Sequence, residues 1–124
     1  MEFRGDSLTE TIIQCIIEVH RELGPGFLES VYRKALVIEL QRNNLNVEEE
    51  KEIRIYYKEA LVGTHRLDIV IENLVIIELK TVESLSKAHY AQIKSYLKAS
   101  GCKIGLLVNL LNDKADFRRI EMPE

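Results

Sequence analysis

Residues 61–80, LVGTHRLDIVIENLVIIELK, decide the fold. Residues 61–71 and 74–77 are two largely apolar segments with a turn expected near Glu72-Asn73, so they predict two strands joined as a hairpin. The second segment is apolar without interruption, which is typical of a central strand covered on both faces. We therefore expect this hairpin to lie inside a β-sheet.

Charged residues follow the covered strand directly. Glu78 and Lys80 point to the same face, because side chains alternate along a strand. Whether Asp68 joins them depends on the hairpin connection. A two-residue loop, Glu72-Asn73, would turn Asp68 to the opposite face, whereas a three-residue loop, Glu72-Asn73-Leu74, would set it directly opposite Glu78. The pattern leaves both registers open, and the second requires an odd loop or a bulge, with Asn73 at positive φ.

The two registers have different chemical consequences. In the second, Asp68 and Glu78 would bring two negative charges together in a partly covered site. Buried charge is costly unless it is paired or bound to a metal, and a hard divalent cation commonly resolves the repulsion of two carboxylates. That register predicts a metal site beside Lys80, and the alternative is a set of solvated charges at strand ends.

Two helices are expected before the hairpin. Residues 8–23 and 27–43 have apolar residues at helical spacing, and Gly24-Pro25-Gly26 separates them because this triplet cannot continue a helix. Ser7 is the expected N-cap of the first helix. The expected buried side of the second helix consists of Leu28, Val31, Ala35, Leu36 and Ile38.

The rest of the chain completes a mixed sheet. Alternation over residues 53–57 predicts a strand before the hairpin, residues 84–100 predict a helix ended by Gly101, and residues 103–110 and 117–122 predict two last strands. The order is α-α-β-β-β-α-β-β. Because a strand, a helix and a strand in succession imply one parallel crossover, we expect an α/β fold with a mixed sheet flanked by helices.

Composition limits the class of protein. The chain has 124 residues, of which 46% are hydrophobic and 30% are charged. This size and composition predict a single domain over residues 1–124 that folds without a stabilising disulfide or metal ion. It has no apolar run long enough to span a membrane, and its net charge of −3 does not favour generic wrapping of nucleic acid. Cys15 and Cys102 lie in apolar segments without zinc-site spacing, so we expect reduced thiols in a cytoplasmic protein.

Three further positions are candidates for function. Gln92 and Tyr96 lie one turn apart on the helix that follows Glu78 and Lys80, where an amide and a phenol could bind phosphate or base or hold a carboxylate. Their alternative role is that of ordinary boundary residues. Glu29 lies in the first turn of its helix, where the helix dipole alone would favour an acid. His65, next to Arg66, could approach a phosphate, but the favoured interpretation is an exposed histidine at a loop edge.

These residues resemble known motifs. Gly26, Glu29 and Tyr32 reproduce the pattern of the GxxExxY proteins. Asp68 and Glu78-Leu79-Lys80 resemble the core motif of the PD-(D/E)xK nuclease superfamily, to which those proteins are assigned. The resemblance spans about residues 8–112.

The resemblance extends to a branch of the superfamily. The Gln-x-x-x-Tyr element at Gln92 and Tyr96 is similar to that of the RecB-like branch. Leu67 stands where the superfamily motif has its proline, a position that is commonly relaxed. The resemblance implies a restriction-endonuclease-like fold.

The resemblance also implies a reaction. Mg²⁺ (or Mn²⁺) would be held by Asp68, Glu78 and the backbone carbonyl of Leu79, with Glu29 contributing directly or through water. Lys80 would position the attacking water. Gln92 and Tyr96 would orient the substrate or the carboxylates. The catalytic set is therefore Glu29, Asp68, Glu78, Lys80, Gln92 and Tyr96.

The expected function is hydrolysis of phosphodiester bonds in nucleic acid, with DNA ahead of RNA. The alternative is a nuclease-fold module that no longer cuts and that binds nucleic acid or protein, because a fold does not by itself establish an activity. A homodimer would allow both strands of a duplex to be cut. No membrane partner is expected.

Overall fold

The computed structural model describes the backbone of residues 4–122 and the side chains of residues 6–122. Its helices are α1 (Arg4–Leu23), α2 (Glu29–Arg42) and α3 (Lys87–Ser100). Its strands are β1 (Val47–Tyr57), β2 (Ala60–Ile71), β3 (Val75–Lys80), β4 (Ile104–Asn109) and β5 (Asp116–Glu121). The predicted element order is confirmed. No helix in this part of the chain is both long and apolar enough to cross a bilayer.

The five strands form one mixed sheet in the order β1-β2-β3-β4-β5. Only β3 and β4 are parallel, and α3 is the crossover between them, as predicted. Helices α1 and α2 pack over one face of the sheet, against residues such as Ile69 and Ile77. Helix α3 packs over the other face, against Val70 and Ile76. Strand β3 is therefore covered on both faces, which explains its continuous apolar sequence.

Two helix ends illustrate where local signals succeed. Gly101 has a φ of 78° and ends α3, as predicted, because glycine adopts this left-handed conformation without a steric penalty. Ser86 caps the other end of α3 by accepting a hydrogen bond from the His89 amide. The expected cap at Ser7 is wrong, since α1 begins at Arg4 and Ser7 lies inside the helix.

The buried side of α2 also differs from the prediction. The helix begins at Glu29, so Leu28 precedes it and is 75% exposed, and Ile38 is 58% exposed. The residues buried from α2 are Tyr32, Leu36 and Leu40, which are spaced four apart. The helix carries apolar residues on several sides, so the packing partner rather than the pattern decides which side is buried.

Gly105 of β4 allows α3 to lie close to the sheet. A Cβ atom there would come within 2.9 Å of Ile93 Cδ1 and 3.2 Å of Leu97 Cδ1. Ile93 is fully buried, so it has little room to move. The absence of a side chain at this position therefore sets the distance between α3 and the sheet.

We predict that Gly105→Ala lowers the free energy of unfolding by about 1–3 kcal/mol, because the added methyl overpacks a filled interface. Urea denaturation measures the loss. Adding Ile93→Val should recover part of it, since valine lacks the atom that the new methyl meets. Gly63→Ala is the control, because its nearest contact would be 3.9 Å away. Equal stability of Gly105→Ala and the parent would contradict this packing.

Candidate active site

The β2–β3 hairpin has the three-residue connection. Ile71 pairs with Val75, which leaves Glu72, Asn73 and Leu74 between the strands. Glu72 and Asn73 have positive φ values of 55° and 52°, so the prediction for Asn73 is confirmed. The pairs Ile71–Val75, Val70–Ile76 and Ile69–Ile77 set Asp68 opposite Glu78 when the same register is continued.

The two strands separate at this point. The last ladder pair is Ile69 with Ile77, and beyond it the Leu79 amide donates to Asp68 Oδ2 at 3.0 Å. The Asp68 carboxylate thus lies between the strands and replaces a backbone acceptor. On the other side of β2 the ladder is also irregular, because Glu50, which has a φ of 51°, forms no pair between Glu49 and Lys51. Backbone irregularities of this kind are frequent at functional sites.

Glu78 is the most strongly perturbed acid of the site. It is 5% exposed, and its Oε2 has no hydrogen-bond partner when both carboxylates are ionised. Burial raises the pKa of Glu78 to about 9, assisted by a side-chain hydrogen bond with Asp68 and by the charges of Asp68 and Glu29. The charge of Lys80 opposes the increase. Without a cation, Glu78 therefore retains a proton at neutral pH and can share it with Asp68.

Lys80 and Gln92 complete one side of the site. Lys80 Nζ lies 3.9 Å from Glu78 Oε1, which agrees with the prediction that both side chains share a face. Lys80 Nζ also donates to Gln92 Oε1 at 3.4 Å. The ammonium group is thus held between a strand carboxylate and the amide of α3.

Tyr96 and His65 form the adjoining wall. Tyr96 is 8% exposed, and burial together with the charges of Glu78 and Asp68 raises the pKa of its phenol. The His65 ring lies 4.8 Å from the Tyr96 ring, between centroids, and its Nε2 is 3.1 Å from Ser95 Oγ. The expectation of an exposed loop-edge His65 is wrong, because the side chain is half-buried in strand β2 and packs on α3.

The Gly26–Glu29–Tyr32 pattern has a structural basis. Tyr32 is fully buried; its hydroxyl donates to the Gly24 carbonyl at 2.6 Å and accepts from the Phe27 amide at 3.3 Å. Gly26 between them has a φ of 110°, which favours glycine. Tyr32 therefore fixes the turn that precedes α2 and places Glu29 as its first residue. Glu29 reaches the site through its charge on Glu78.

Two positioning residues were missed by sequence reasoning. Arg33 bonds Glu49 at 2.9 Å and lies 3.3 Å from Glu50, so it ties α2 to the irregular part of β1. Buried Asn109 accepts from the Val82 amide at 3.1 Å and donates to the Val82 carbonyl at 2.7 Å. It thereby fixes the segment that follows Lys80. An asparagine at the end of an apolar strand was the available signal.

Two carboxylates of the site suit a divalent metal ion, but among the residues that the structure describes no third side-chain ligand lies beside them. Glu78 Oε2 is buried without a hydrogen-bond partner and lies beside the Asp68 carboxylate. A divalent cation bound to both carboxylates would give this oxygen a partner. Across residues 4–122, no group of three or more His, Cys, Asp or Glu side chains is close enough to hold a metal ion. The structure thus brings together Asp68, Glu78, Lys80, Gln92 and Tyr96, whereas Glu29 acts at longer range.

The chain is similar to known proteins both in sequence and in structure. A family model for the PD-(D/E)XK nuclease superfamily matches residues 6–120. The crystal structure of SSO0001 is similar to this chain, with a TM-score of 0.60 and 26% sequence identity. The similarity covers 77% of this chain and 50% of that one, so the chain spans about half the length of the solved protein. No match was found among curated proteins.

Glu78→Gln is predicted to stabilise the metal-free protein at alkaline pH. Since the pKa of Glu78 rises from 4.5 to about 9 on folding, the folded state holds an extra proton between these values and loses stability as pH rises through them. A neutral glutamine should raise the unfolding free energy by about 1–3 kcal/mol at pH 8 and have little effect at pH 4.

Urea denaturation in EDTA at both pH values measures this difference. Glu83→Gln is the control, because Glu83 is exposed. A Glu78→Gln effect that is the same at pH 4 and pH 8 would contradict the burial of an ionisable Glu78.

Tyr32→Phe is predicted to lower the unfolding free energy by about 1–2 kcal/mol, because it leaves the Gly24 carbonyl and the Phe27 amide without their partner. The comparison is with Tyr57→Phe, which changes a 62% exposed ring. Chemical denaturation of both variants at pH 7 is the measurement. Equal stability of the two would show that the Tyr32 hydroxyl does not hold the turn.

Proposed function

The chain belongs to the PD-(D/E)XK nuclease superfamily, and we propose that it is a metal-dependent nuclease that hydrolyses phosphodiester bonds, with DNA as its substrate ahead of RNA. The predicted superfamily membership is confirmed by the family model over residues 6–120, and the predicted element order is observed. The more specific resemblances, to the GxxExxY proteins and to the RecB-like branch, stay predictions. The observation that carries the proposal is the juxtaposition of Asp68 and buried Glu78 where β2 and β3 separate.

Asp68, Glu78 and the Leu79 carbonyl would hold Mg²⁺ or Mn²⁺, with Glu29 contributing through water. Mg²⁺ keeps several of its waters in proteins, so two or three carboxylates are a sufficient protein share. When bound, such an ion supplies a water of lowered pKa and neutralises charge on the scissile phosphate.

Each remaining side chain has a role that follows from its contacts. Lys80 is held by Glu78 and Gln92, and in that position its ammonium group can orient a water and stabilise negative charge that develops on the phosphate. Gln92 acts as a positioning residue for Lys80. Tyr96 closes the side of the site that faces α3 and excludes water from the two carboxylates.

One observation favours a second candidate, a nuclease-fold module that binds without cutting. Within the described residues no third ligand is assembled around Asp68 and Glu78. The high pKa of Glu78 also means that metal binding must displace a proton at neutral pH. Both candidates use the same fold, and cleavage activity distinguishes them.

We predict that the parent chain cuts DNA only in the presence of Mg²⁺ or Mn²⁺. Asp68→Asn and Glu78→Gln should reduce the rate by about a hundredfold or more, because each removes a charge that holds the ion. The assay uses labelled single-stranded, duplex and branched DNA and the matching RNA. Asp113→Asn, at an exposed position, is the control.

Two outcomes would count against the nuclease. A folded parent that cuts none of these substrates with either ion would favour the binding module. Cleavage by Asp68→Asn and Glu78→Gln at the parental rate would show that another site is responsible. If duplex is cut on both strands, sedimentation in the presence of DNA tests the homodimer that such cutting suggests.

A further inference from the structure

The β1–β2 hairpin extends past the rest of the sheet. Strand β2 pairs with β3 only at residues 69–71, whereas its pairing with β1 continues as far as Tyr57 and Ala60. We call residues 53–66 the arm. At about 3.3 Å per residue, the end of the arm at Ala60 is about 26 Å along the strand from Asp68.

The end of the arm exposes large apolar side chains. Tyr56, Tyr57, Leu61 and Val62 are each 55–62% exposed. The turn between the strands consists of Lys58 and Glu59, both at positive φ, and the pairing shifts register between Ile55 and Tyr56. Adjacent exposed side chains of this size mark an interaction surface more often than isolated ones do.

The arm is basic in an acidic chain. It contains Arg54, Lys58 and Arg66 against one acid, Glu59, whereas the whole chain has 17 basic and 20 acidic residues. Lys58 Nζ lies 5.3 Å from the centre of the Tyr57 ring. Arg54 lies 3.5 Å from Glu52, so Lys58 and Arg66 are the less compensated of the three cations. Two adjacent aromatic rings therefore lie between Arg54 and Lys58 in the same short segment.

The arm is anchored beside the candidate active site. His65 packs on the Tyr96 ring and hydrogen-bonds Ser95, which fixes the base of the arm on α3. The charges of Glu78 and Asp68 act on Tyr96, so this anchor lies near the carboxylates. The arm thus extends away from the site, and its far end carries Tyr56 and Tyr57, one on each face of the two-stranded ribbon.

We propose that the arm is a nucleic-acid contact in which unpaired bases stack on Tyr56 and Tyr57 while Lys58 and Arg66 contact phosphates. The inference rests on the proposed function for its choice of nucleic acid as the ligand. Aromatic platforms interleaved with cations bind single strands, whereas bases within a continuous duplex have no free faces. The substrate class is therefore nucleic acid with a single-stranded segment next to the scissile bond.

A second copy of the chain is the less suitable occupant of this surface. If the two arms met on the axis of a symmetric dimer, Lys58 and Arg66 of one copy would lie close to the same cations of the other. Negatively charged phosphates instead complement Lys58 and Arg66.

Fluorescence anisotropy in EDTA tests the proposal with the full chain and a labelled 20-nucleotide DNA strand, alone or as a blunt duplex. Tyr57→Leu should weaken binding of the single strand about tenfold, because it removes the ring and keeps an apolar side chain. Tyr57→Phe, which retains the ring, should stay within about twofold of the parent. Ile38→Ala alters an exposed apolar residue of α2 and should bind as the parent does.

Photochemical cross-linking of the unmodified chain avoids dependence on variants. A strand that contains 5-iodouracil should cross-link to Tyr56 or Tyr57, which lie in the tryptic peptide of residues 55–58. Cross-links confined to other peptides would overturn the proposal. Parental affinity of Tyr57→Leu, or a change in oligomeric state without a change in DNA binding, would also overturn it.

The binding and cleavage experiments fail independently. If DNA binds at the arm but the parent cuts nothing with Mg²⁺ or Mn²⁺, the nuclease proposal fails and the arm contact stands. If the parent cuts DNA and Tyr57→Leu binds and cuts at parental levels, the arm contact fails and the nuclease stands.

Discussion

The three-residue connection between β2 and β3 is the constraint on which the candidate site depends. One residue fewer would turn Asp68 to the other face of the sheet and leave Glu78 without its neighbour. The connection requires a left-handed Glu72, which is unfavourable for a side chain of that type. Contacts with the residue before β1 compensate for it, since the Glu72 amide donates to the Asn46 carbonyl at 2.9 Å and Glu72 Oε2 accepts from the Asn46 amide at 3.1 Å.

This register brings the carboxylates of Asp68 and Glu78 together in a partly buried site, where their charges repel each other. Asp68 and Glu78 lie between separated strands; the Leu79 amide donates to the first, and Oε2 of the second has no partner when both carboxylates are ionised. A stable core does not need such a pair, because apolar residues at these positions would avoid the cost of burying charge. In a member of a nuclease superfamily, the cost is consistent with a site that is completed by a cation.

Most of the fold could be predicted because its signals are local. Gly101 ends α3 through its own backbone conformation, which does not depend on distant segments. The uninterrupted apolar run before Glu78 likewise indicates a central strand of an α/β sheet. The hairpin register could not be predicted, since it depends on Glu72 adopting positive φ through a contact with Asn46 in a distant segment. The prediction of the buried side of α2 was wrong for a related reason. Tyr32 is buried because backbone groups of the preceding turn satisfy its hydroxyl, and helical spacing carries no information about that partnership.

We propose that Asp68 and Glu78 bind a divalent cation, and anomalous scattering from crystals soaked in Mn²⁺ would locate that ion. We expect a single strong manganese peak within coordinating distance of both carboxylates, and no such peak in crystals of Asp68→Asn treated in the same way. A peak only elsewhere on the molecule, or no peak at Asp68 and Glu78 at saturating Mn²⁺ and pH 8, would contradict it.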